Sequence, residues 1–385
     1  MSGFFEVYFR DGSSRAGALN TSHGNVDTPA FMPVATQGSV KALAPDDLKT
    51  LGASILLSNT YHLMLRPGID LIHRQNNLHT FMNWQRPILT DSGGFQTFSL
   101  GRLTNMSDRG VIFRSHIDGR EHFLSPELSI QYQGLLGSDI AMVLDECSPY
   151  GLEYEELNSA MQRTHVWARR SRDAHDSIGQ SIFAVVQGGV FPDLRLASAE
   201  ILISMDFDGY AVGGLSVGEP KDAMYKIASL MGSTLPEHKP RYLMGVGSPE
   251  DLVECVAHGM DLFDCSLPTR VARNGGLFTD RGRVNITNTS FREVDGPFDL
   301  TCDCYCCTNF SASYIHHLFK AKELLAYRLA SIHNLRFVMR LMDTMRQAIK
   351  EGKFQEFRDK FWSSYKPSDE RARLLQRDRR PQRIH

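Results

Sequence analysis

The chain has 385 residues, of which 42% are hydrophobic and 22% charged, a composition that excludes disordered, collagen-like and disulfide-scaffold proteins. Its 42 basic and 44 acidic side chains give a formal net charge of −2, so no overall basic field indicates a nucleic-acid partner. The longest apolar runs, such as Ile140–Leu144, fall far short of the roughly 20 residues that span a membrane. Arg10 and Asp11 come too early for a signal peptide, so the sequence predicts a cytoplasmic protein with no membrane segment.

Short apolar runs alternate with longer amphipathic segments from residue 30 to residue 265. The predicted strands are Ala30–Val34, Ser54–Ser58, Ile88–Thr90, Ile140–Leu144, Ile182–Val186, Gly209–Val212, Tyr242–Val246 and Leu262–Cys265. The predicted helices are Ala44–Leu51, Pro126–Leu136, Glu153–Asp176, Asp193–Met205, Lys221–Met231 and Pro249–His258. This repeated alternation favours a (β/α)₈ TIM barrel, with a doubly wound open sheet as the alternative.

Two hairpins are predicted outside the barrel repeat. About fifty residues separate the third and fourth strands, and Asp118-Gly119 within them is the signal for a two-residue turn between Val111–His116 and Arg120–Phe123. A second hairpin is predicted over Gly275–Val284, after the last strand. From Ser311 onward the apolar residues recur at helical spacing.

Four of the seven cysteines lie within six residues, at Cys302, Cys304, Cys306 and Cys307. Their C-x-C and C-x-x-C spacings suit a structural zinc site, in which three thiolates and one imidazole complete a tetrahedron. Reduced core cysteines and a disulfide pair are the alternatives, although disulfides are rare in cytosolic proteins. The candidate ligands are three of these four cysteines and one histidine from His316, His317 and His333.

The length alone would allow two or three domains at about 150 residues each. The strand count instead predicts a single barrel with inserted hairpins over residues 1–285, and the cysteine cluster predicts a zinc-binding subdomain with closing helices over residues 286–365 that is integral to the barrel. Residues 366–385 contain six arginines and are predicted to form a solvated tail.

Polar residues and glycines follow the predicted strands, at the end of a barrel where active sites are built. They are Asp91, Asp145, Gln187, Asp264 and the turns Gly213-Gly214 and Gly245-Val246-Gly247. Each alone is an ordinary cap or turn former, but their convergence on one rim favours a functional site. Two carboxylates suit acetal chemistry at a sugar carbon, one as nucleophile and one as general acid and base. A third carboxylate beside an amide suits recognition of a guanine-like edge.

The motifs that follow the strands occur in a specific order: DSGGFQ (91–96), DEC (145–147), QGG (187–189), GYAVGGLSVGEP (209–220), YLMGVG (242–247), LFDCSLPTRVARNG (262–275) and CDCYCC…YIHHL…H (302–333). Together they resemble the queuine/tRNA-guanine transglycosylase family, over roughly residues 30 to 335. The resemblance implies a TIM barrel with a C-terminal zinc-binding subdomain. It also implies exchange of guanine at wobble position 34 of tRNAs with GUN anticodons, those for Asp, Asn, His and Tyr, through a covalent glycosyl-enzyme.

The resemblance also implies a role for each matching residue. Asp264 would attack C1′ of the target nucleotide, and Asp91 would act as general acid and base. The residues that match the base-recognition set are Asp145, Gln187, Gly214 and Leu215, with Phe95 and Met244 as the sandwiching side chains. The residues that match zinc ligands, one structural Zn²⁺ per chain, are Cys302, Cys304, Cys307 and His333. Arg270 and Arg273 match positions near the RNA.

The incoming base is predicted from two positions on the pocket rim. Cys147 and Val217 resemble the bacterial members, which insert 7-aminomethyl-7-deazaguanine (preQ1), whereas the eukaryotic pattern opens the pocket for queuine. Queuine as the preferred base is therefore the alternative. Ser248 departs from the family, because many bacterial members have Lys there.

The resemblance to bacterial members further implies a homodimer, joined through the zinc subdomain. The residues that match its aromatic patch are Phe310, Tyr314, His317 and Leu63.

Two other classes of function are alternatives to a transglycosylase. A non-catalytic tRNA-binding partner subunit predicts degraded carboxylates, yet Asp91 and Asp264 are intact. A barrel hydrolase of free nucleosides would not need the arginines after the eighth strand.

Overall fold

The structure is a computed structural model that describes residues 3–96 and 102–367. Its strands, in chain order, are β1 (Phe5–Asp11), β2 (Ser14–Thr21), β3 (Gly24–Thr28), β4 (Ala30–Met32), β5 (Val34–Ala35), β6 (Leu56–Asn59), β7 (Ile88–Asp91), β8 (Arg102–Ser107), β9 (Gly110–Arg114), β10 (Glu121–Leu124), β11 (Ile140–Met142), β12 (Ser181–Val186), β13 (Gly209–Val212), β14 (Arg241–Leu243), β15 (Leu262–Asp264), β16 (Gly276–Thr279) and β17 (Gly282–Asn285).

The helices surround and extend this set of strands. They are α1 (Pro45–Leu51), α2 (Thr60–Leu65), α3 (Ile69–Arg74), α4 (Asn77–Met82), α5 (Pro126–Leu136), α6 (Tyr154–Ala174), α7 (Pro192–Ser204), α8 (Lys221–Thr234), α9 (Pro249–Ala257), α10 (Leu267–Arg273), α11 (Tyr305–Asn309), α12 (Ala312–Ala321), α13 (Leu324–Lys350) and α14 (Phe354–Ser364). None of the helices in the described part of the chain is long and apolar enough to span a membrane.

The barrel closes through its first strand, which is split at Pro33 into β4 and β5. β4 pairs with β15, where Phe31 lies beside Phe263, and β5 pairs with β6. The order from β4 is β15, β14, β13, β12, β11, β7, β6 and β5, with all of these pairs parallel. This topology confirms the TIM barrel and excludes the open sheet, which would leave two unpaired edges.

Each predicted barrel strand is present, although several end earlier than predicted. β14 ends at Leu243 rather than Val246, because Gly245 has a φ of 74° and cannot continue a strand. The predicted two-residue turn at Asp118-Gly119 is wrong, since residues 115–120 form a longer loop closed by the Ser115 N–H donating to the Arg120 carbonyl at 2.8 Å. β8 adds a third strand to this hairpin.

The sequence did not predict the N-terminal sheet of β1, β2 and β3 or the short helices α2 to α4. The sheet lies at the N-terminal end of the barrel, where His23 in the β2–β3 turn contacts Asp139 just before β11. Of the predicted Arg-rich tail only Lys366 and Pro367 are described, and its arginines lie outside the described residues.

Candidate active site and metal centre

A cavity of about 420 Å³ opens at the C-terminal end of the barrel, where the sequence predicts the site. The predicted site residues in its lining are Asp91, Phe95, Asp145, Cys147, Gly214, Leu215, Val217, Met244, Asp264 and Arg270. Gln187 instead lines an adjoining cavity of about 170 Å³, which shares Gly214 with the first. Arg273 lines neither cavity; its Nη1 donates to the Thr269 carbonyl at 3.0 Å.

Asp264, the last residue of β15, is held by two hydrogen bonds to a single oxygen. The Tyr242 hydroxyl donates to Oδ1 at 2.6 Å, and the Gly245 N–H donates to the same atom at 2.8 Å. Among the described residues, none donates to Oδ2. Burial raises the pKa of Asp264, and the two hydrogen bonds oppose this rise by stabilising the charged form.

Asp91, the last residue of β7, is buried between two neighbouring segments. The Asn59 and Gln96 side-chain amides donate to Oδ2 at 2.5 and 3.2 Å, and the Thr60 N–H donates to Oδ1 at 3.1 Å. Burial raises the pKa of Asp91 to about 8, and the nearby charge of Asp264 adds to the rise. At neutral pH the carboxyl is therefore mostly protonated, as a general acid requires.

Asp145, which lines the first cavity, is hydrogen-bonded to Gln187, which lines the second. The Gln187 Nε2 donates to Asp145 Oδ2 at 2.7 Å, and the Ser92 hydroxyl lies 3.5 Å from Oδ1. Burial raises the pKa of Asp145 to about 6, so the carboxylate is largely ionised at neutral pH. Two glycines leave room for this pair: a Cβ at Gly94 would lie 2.4 Å from the Asp145 carbonyl oxygen, and one at Gly214 would lie 2.5 Å from Gln187 Oε1.

Cys147 and Val217 bound the cavity, as predicted from the sequence. Burial raises the pKa of Cys147 to about 12, so this side chain remains a neutral thiol. The loop that carries Val217 is fixed by the buried Glu219 carboxylate, which accepts the N–H groups of Ser216, Val217 and Gly218, the last two at 3.1 Å.

Sequence reasoning missed several polar groups around the carboxylates. Asn59 donates a hydrogen bond to Asp91, and Tyr242 donates one to Asp264. His62 lines the same cavity. Burial lowers the pKa of His62 to about 4, so it is neutral at physiological pH. Asn59 is the last residue of a strand, a position that predicts a residue of the site, as it did for Asp91. Tyr242 lies in an apolar run, which is typical of a core residue.

Ser248 and Arg270 follow strands β14 and β15 in the chain. Arg270 is exposed and lines the cavity. Ser248 precedes α9 but does not cap it, because its hydroxyl donates to Asp251 Oδ2 at 2.5 Å instead.

The candidate metal centre combines Cys302, Cys304, Cys307 and His333, all buried, with ligand atoms within 4.8 Å of one another. His333 Nδ1 lies 3.4 Å from Cys307 Sγ and 3.7 Å from Cys304 Sγ. Tetrahedral zinc with ordinary bond lengths would separate sulfur and nitrogen by about 3.6 Å. The residues therefore fit a zinc ion.

The hydrogen bond on the far side of the imidazole supports this fit. His333 Nε2 donates to the Phe278 carbonyl at 2.6 Å, which leaves the Nδ1 lone pair facing the thiols. The other candidate histidines are engaged elsewhere or exposed: His316 Nδ1 lies 2.8 Å from the Ile286 carbonyl, and His317 is on the surface. Cys306 is fully buried but is not one of the four.

A second group of His and Asp side chains lies at the opposite end of the barrel. His23 Nδ1 donates to Asp139 Oδ1 at 2.8 Å, and His79 Nε2 lies 3.4 Å from Oδ2. The two imidazole rings are stacked 3.6 Å apart at 18°, so their nitrogen lone pairs do not converge on one ion. We interpret this group as a buried hydrogen-bonded cluster around Asp139.

The predicted dimer patch is only partly on the surface. Phe310 and Tyr314 stack with ring centroids 5.5 Å apart, and Tyr314 and His317 are exposed. Leu63, by contrast, is fully buried in α2 and lies in the core.

Comparison with known proteins assigns the family. The family model described as queuine tRNA-ribosyltransferase matches residues 11–367. A protein of that name from Thermoanaerobacter sp. (strain X514) is 54% identical over 354 residues, 92% of this chain and 94% of that protein. Proteins of that name from Caldanaerobacter subterraneus subsp. tengcongensis and Dehalococcoides mccartyi (strain CBDB1) are both 53% identical, covering 94% and 95% of this chain and 97% and 93% of their own lengths. This chain therefore belongs to the queuine tRNA-ribosyltransferase family.

Proposed function

We propose that this protein is a tRNA-guanine transglycosylase, a pentosyltransferase that exchanges guanine at wobble position 34 of GUN-anticodon tRNAs for preQ1. The observation that carries the proposal is the meeting of two carboxyl groups, Asp264 and Asp91, in one cavity that is also lined by Asp145, the hydrogen-bond partner of Gln187. The names of the relatives support the same reaction class. The proposed location is cytoplasmic.

In the first half-reaction, Asp264 Oδ2 attacks C1′ of the target ribose. The bond from C1′ to the guanine ring nitrogen breaks as the ester bond from Asp264 to C1′ forms. Asp91, protonated at neutral pH because burial raises its pKa to about 8, gives its proton to the departing guanine. The Tyr242 hydroxyl and the Gly245 N–H hold the attacking carboxylate in position through its other oxygen.

The second half-reaction reverses these roles. The Asp91 carboxylate removes the proton from the ring nitrogen of the incoming 7-deazaguanine, and that nitrogen attacks C1′. The ester bond breaks and Asp264 is restored, so each proton and electron pair is returned. Two displacements at the same carbon retain its configuration, as in retaining glycosidases.

Recognition of the base rests on complementary donors and acceptors. Asp145, ionised at neutral pH, accepts the two adjacent N–H groups of a guanine-like edge. The Gln187 amide has two protons, of which one is donated to Asp145 in this structure, so the second serves the base carbonyl together with the N–H groups of Gly214 and Leu215. Phe95 and Met244 line the same cavity and would stack on the ring faces.

The choice of preQ1 rests on Cys147 and Val217, whose side chains bound the cavity and favour a small 7-substituent. Queuine as the preferred base is the alternative, and the names of the relatives favour it. Incorporation of both bases into a GUN-anticodon tRNA, measured in parallel, decides between them. Incorporation of neither contradicts the proposed function, and queuine without preQ1 reverses the choice of substrate.

The nucleophile is tested by trapping the covalent intermediate. Asp264→Asn should abolish the RNA–protein adduct on denaturing gels, because the amide is not a nucleophile. Asp173→Asn is the matched control, since Asp173 is an exposed residue of α6. An adduct that survives in Asp264→Asn would show that another residue attacks C1′.

We further propose that Cys302, Cys304, Cys307 and His333 bind one structural Zn²⁺ per chain. A closed four-ligand site supplies a rigid cross-link and no open position for chemistry. This zinc-binding subdomain, with its closing helices, is proposed to span residues 286–365 and to be integral to the barrel of residues 1–285.

Contacts to the macromolecular partners complete the proposal. Arg270 and Arg273 would bind tRNA phosphates, for which guanidinium groups are well suited. Two copies would pair through the exposed face that carries Tyr314 and His317.

A further inference from the structure

Arg195 is a fully buried arginine in the first turn of α7 that the proposed chemistry does not use. Its guanidinium donates only to backbone: Nε to the Gly189 carbonyl at 2.8 Å, Nη1 to the Val186 carbonyl at 2.6 Å and Nη2 to the Gly213 carbonyl at 2.8 Å. Since one rigid planar group makes all three bonds, it fixes these carbonyls relative to one another.

The three carbonyls belong to the two strand ends that carry base recognition. Val186 ends β12, and Gly189 ends the turn that contains Gln187. Gly213 follows β13 and directly precedes Gly214. The strand ends are otherwise joined here by the Gly213 N–H, which donates to the Val186 carbonyl at 3.1 Å.

The turn that contains Gln187 and ends at Gly189 packs closely against the start of α7, which carries Arg195. Gly188 has a φ of 131°, and a Cβ there would lie 2.9 Å from the Arg195 backbone nitrogen. The three carbonyls accept hydrogen bonds from a fully buried guanidinium, and a buried carbonyl that loses its donor is destabilising. Burial lowers the pKa of Arg195 to about 9, so the side chain remains a cation at neutral pH.

From this geometry we infer that Arg195 is a positioning residue for base recognition, which holds Gln187 and the Gly214 N–H at the spacing that a guanine-like edge requires. This role of Arg195 rests on the proposed function. Arg195 would act on base recognition through Gln187 and Gly214, without contacting the substrate.

The test is Arg195→Lys in the full-length enzyme, because lysine keeps the charge but cannot reach three carbonyls from one planar group. The matched control is Arg241→Lys. Arg241 is also buried and donates to two carbonyls, Leu235 at 2.7 Å and Gly259 at 3.4 Å, but at the opposite end of the barrel. Steady-state exchange on tRNA gives kcat and KM for the incoming base.

We expect Arg195→Lys to raise KM for the base at least tenfold with a change in kcat of less than threefold. Arg241→Lys should leave KM unchanged even if it lowers Tm. A wild-type KM in Arg195→Lys overturns the inference. An equal rise in KM in Arg195→Lys and Arg241→Lys also overturns it, because that would indicate a general loosening of the fold.

Two further measurements separate the possible failures. If Arg195→Lys does not fold, Arg195→Gln, which restores one hydrogen bond without charge, is measured instead against the same expectation. Combined with Gln187→Ala, the arginine change should cost less than it does alone, because the residue through which it acts is already lost. Wild-type enzyme that exchanges no base on tRNA refutes the proposed function, whereas active wild type with an unaffected Arg195 variant refutes only this inference.

Discussion

The hydrogen bond from Tyr242 to Asp264 gives the most direct test of the proposed chemistry. A hydroxyl donor 2.6 Å from a carboxylate oxygen stabilises the charged form of the acid and lowers its pKa. Tyr242→Phe removes this donor and leaves the Gly245 N–H as the remaining donor to Oδ1. The pKa of Asp264, already raised by burial, should therefore rise further.

The size of the rise follows from the strength of the lost bond. A hydrogen bond to a charged group contributes about 1.5–3 kcal/mol, which corresponds to about 1–2 pKa units. Because the nucleophile must be ionised, the acidic limb of the pH profile of kcat/KM should move upward by about 1–2 pH units. The basic limb should stay near pH 8, since it reports the loss of the Asp91 proton.

The assay is base exchange on tRNA between pH 5 and 9, with Tyr225→Phe as the matched control. Tyr225 donates to Asp251 Oδ1 at 2.7 Å, so the same bond type is lost away from the cavity. The control should keep the wild-type profile. An unmoved acidic limb in Tyr242→Phe, or an equal loss of rate at every pH, would refute the assignment of this limb to Asp264.

Three other changes have defined outcomes. Metal analysis should find one zinc per chain in the wild type and in the control Cys306→Ala, but none in Cys304→Ala. The Tm of Cys304→Ala should also be lower than that of the wild type. Zinc-free Cys304→Ala with the wild-type Tm would contradict a structural site. Gly94→Ala should raise KM for the base at least tenfold, because the new Cβ meets the Asp145 carbonyl oxygen, and an unchanged KM would contradict the tight fit. Asp139→Asn should lose about 1–3 kcal/mol at pH 7 in urea unfolding. Hydrogen bonds from His79, the Ile88 N–H and His23 lower the pKa of Asp139 in the fold, so its contribution is fully present above the ordinary value of 3.8 and is lost as the pH falls through the lowered value; the difference should therefore shrink on acidification below 3.8.

The linear pattern of residues predicted the barrel and most of the residues that line its cavity, but not the N-terminal sheet or helices α2 to α4. Alternation of apolar strands and amphipathic helices is a local property, and the barrel is the packing that buries every such strand. An aspartate after an apolar run, as at Asp91 and Asp264, therefore predicted the rim. The density of thiols from Cys302 to Cys307 likewise predicted a metal site before any contact was known.

What the sequence could not supply depends on distances between segments far apart in the chain. The cysteine spacing by itself left His316, His317 and His333 open; α13 passes the cysteines at His333, the residue that the family resemblance implied. The pKa values of Asp91 and Asp264 are raised by burial, and that of Asp91 also by the charge of Asp264, to which single residue types give no clue. Tyr242 resembled core and Arg195 resembled an ordinary helix residue until the fold placed one against Asp264 and the other behind Gln187. These contacts depend on the tertiary structure, because only folding brings such groups within hydrogen-bond distance and removes the water that would weaken their interaction.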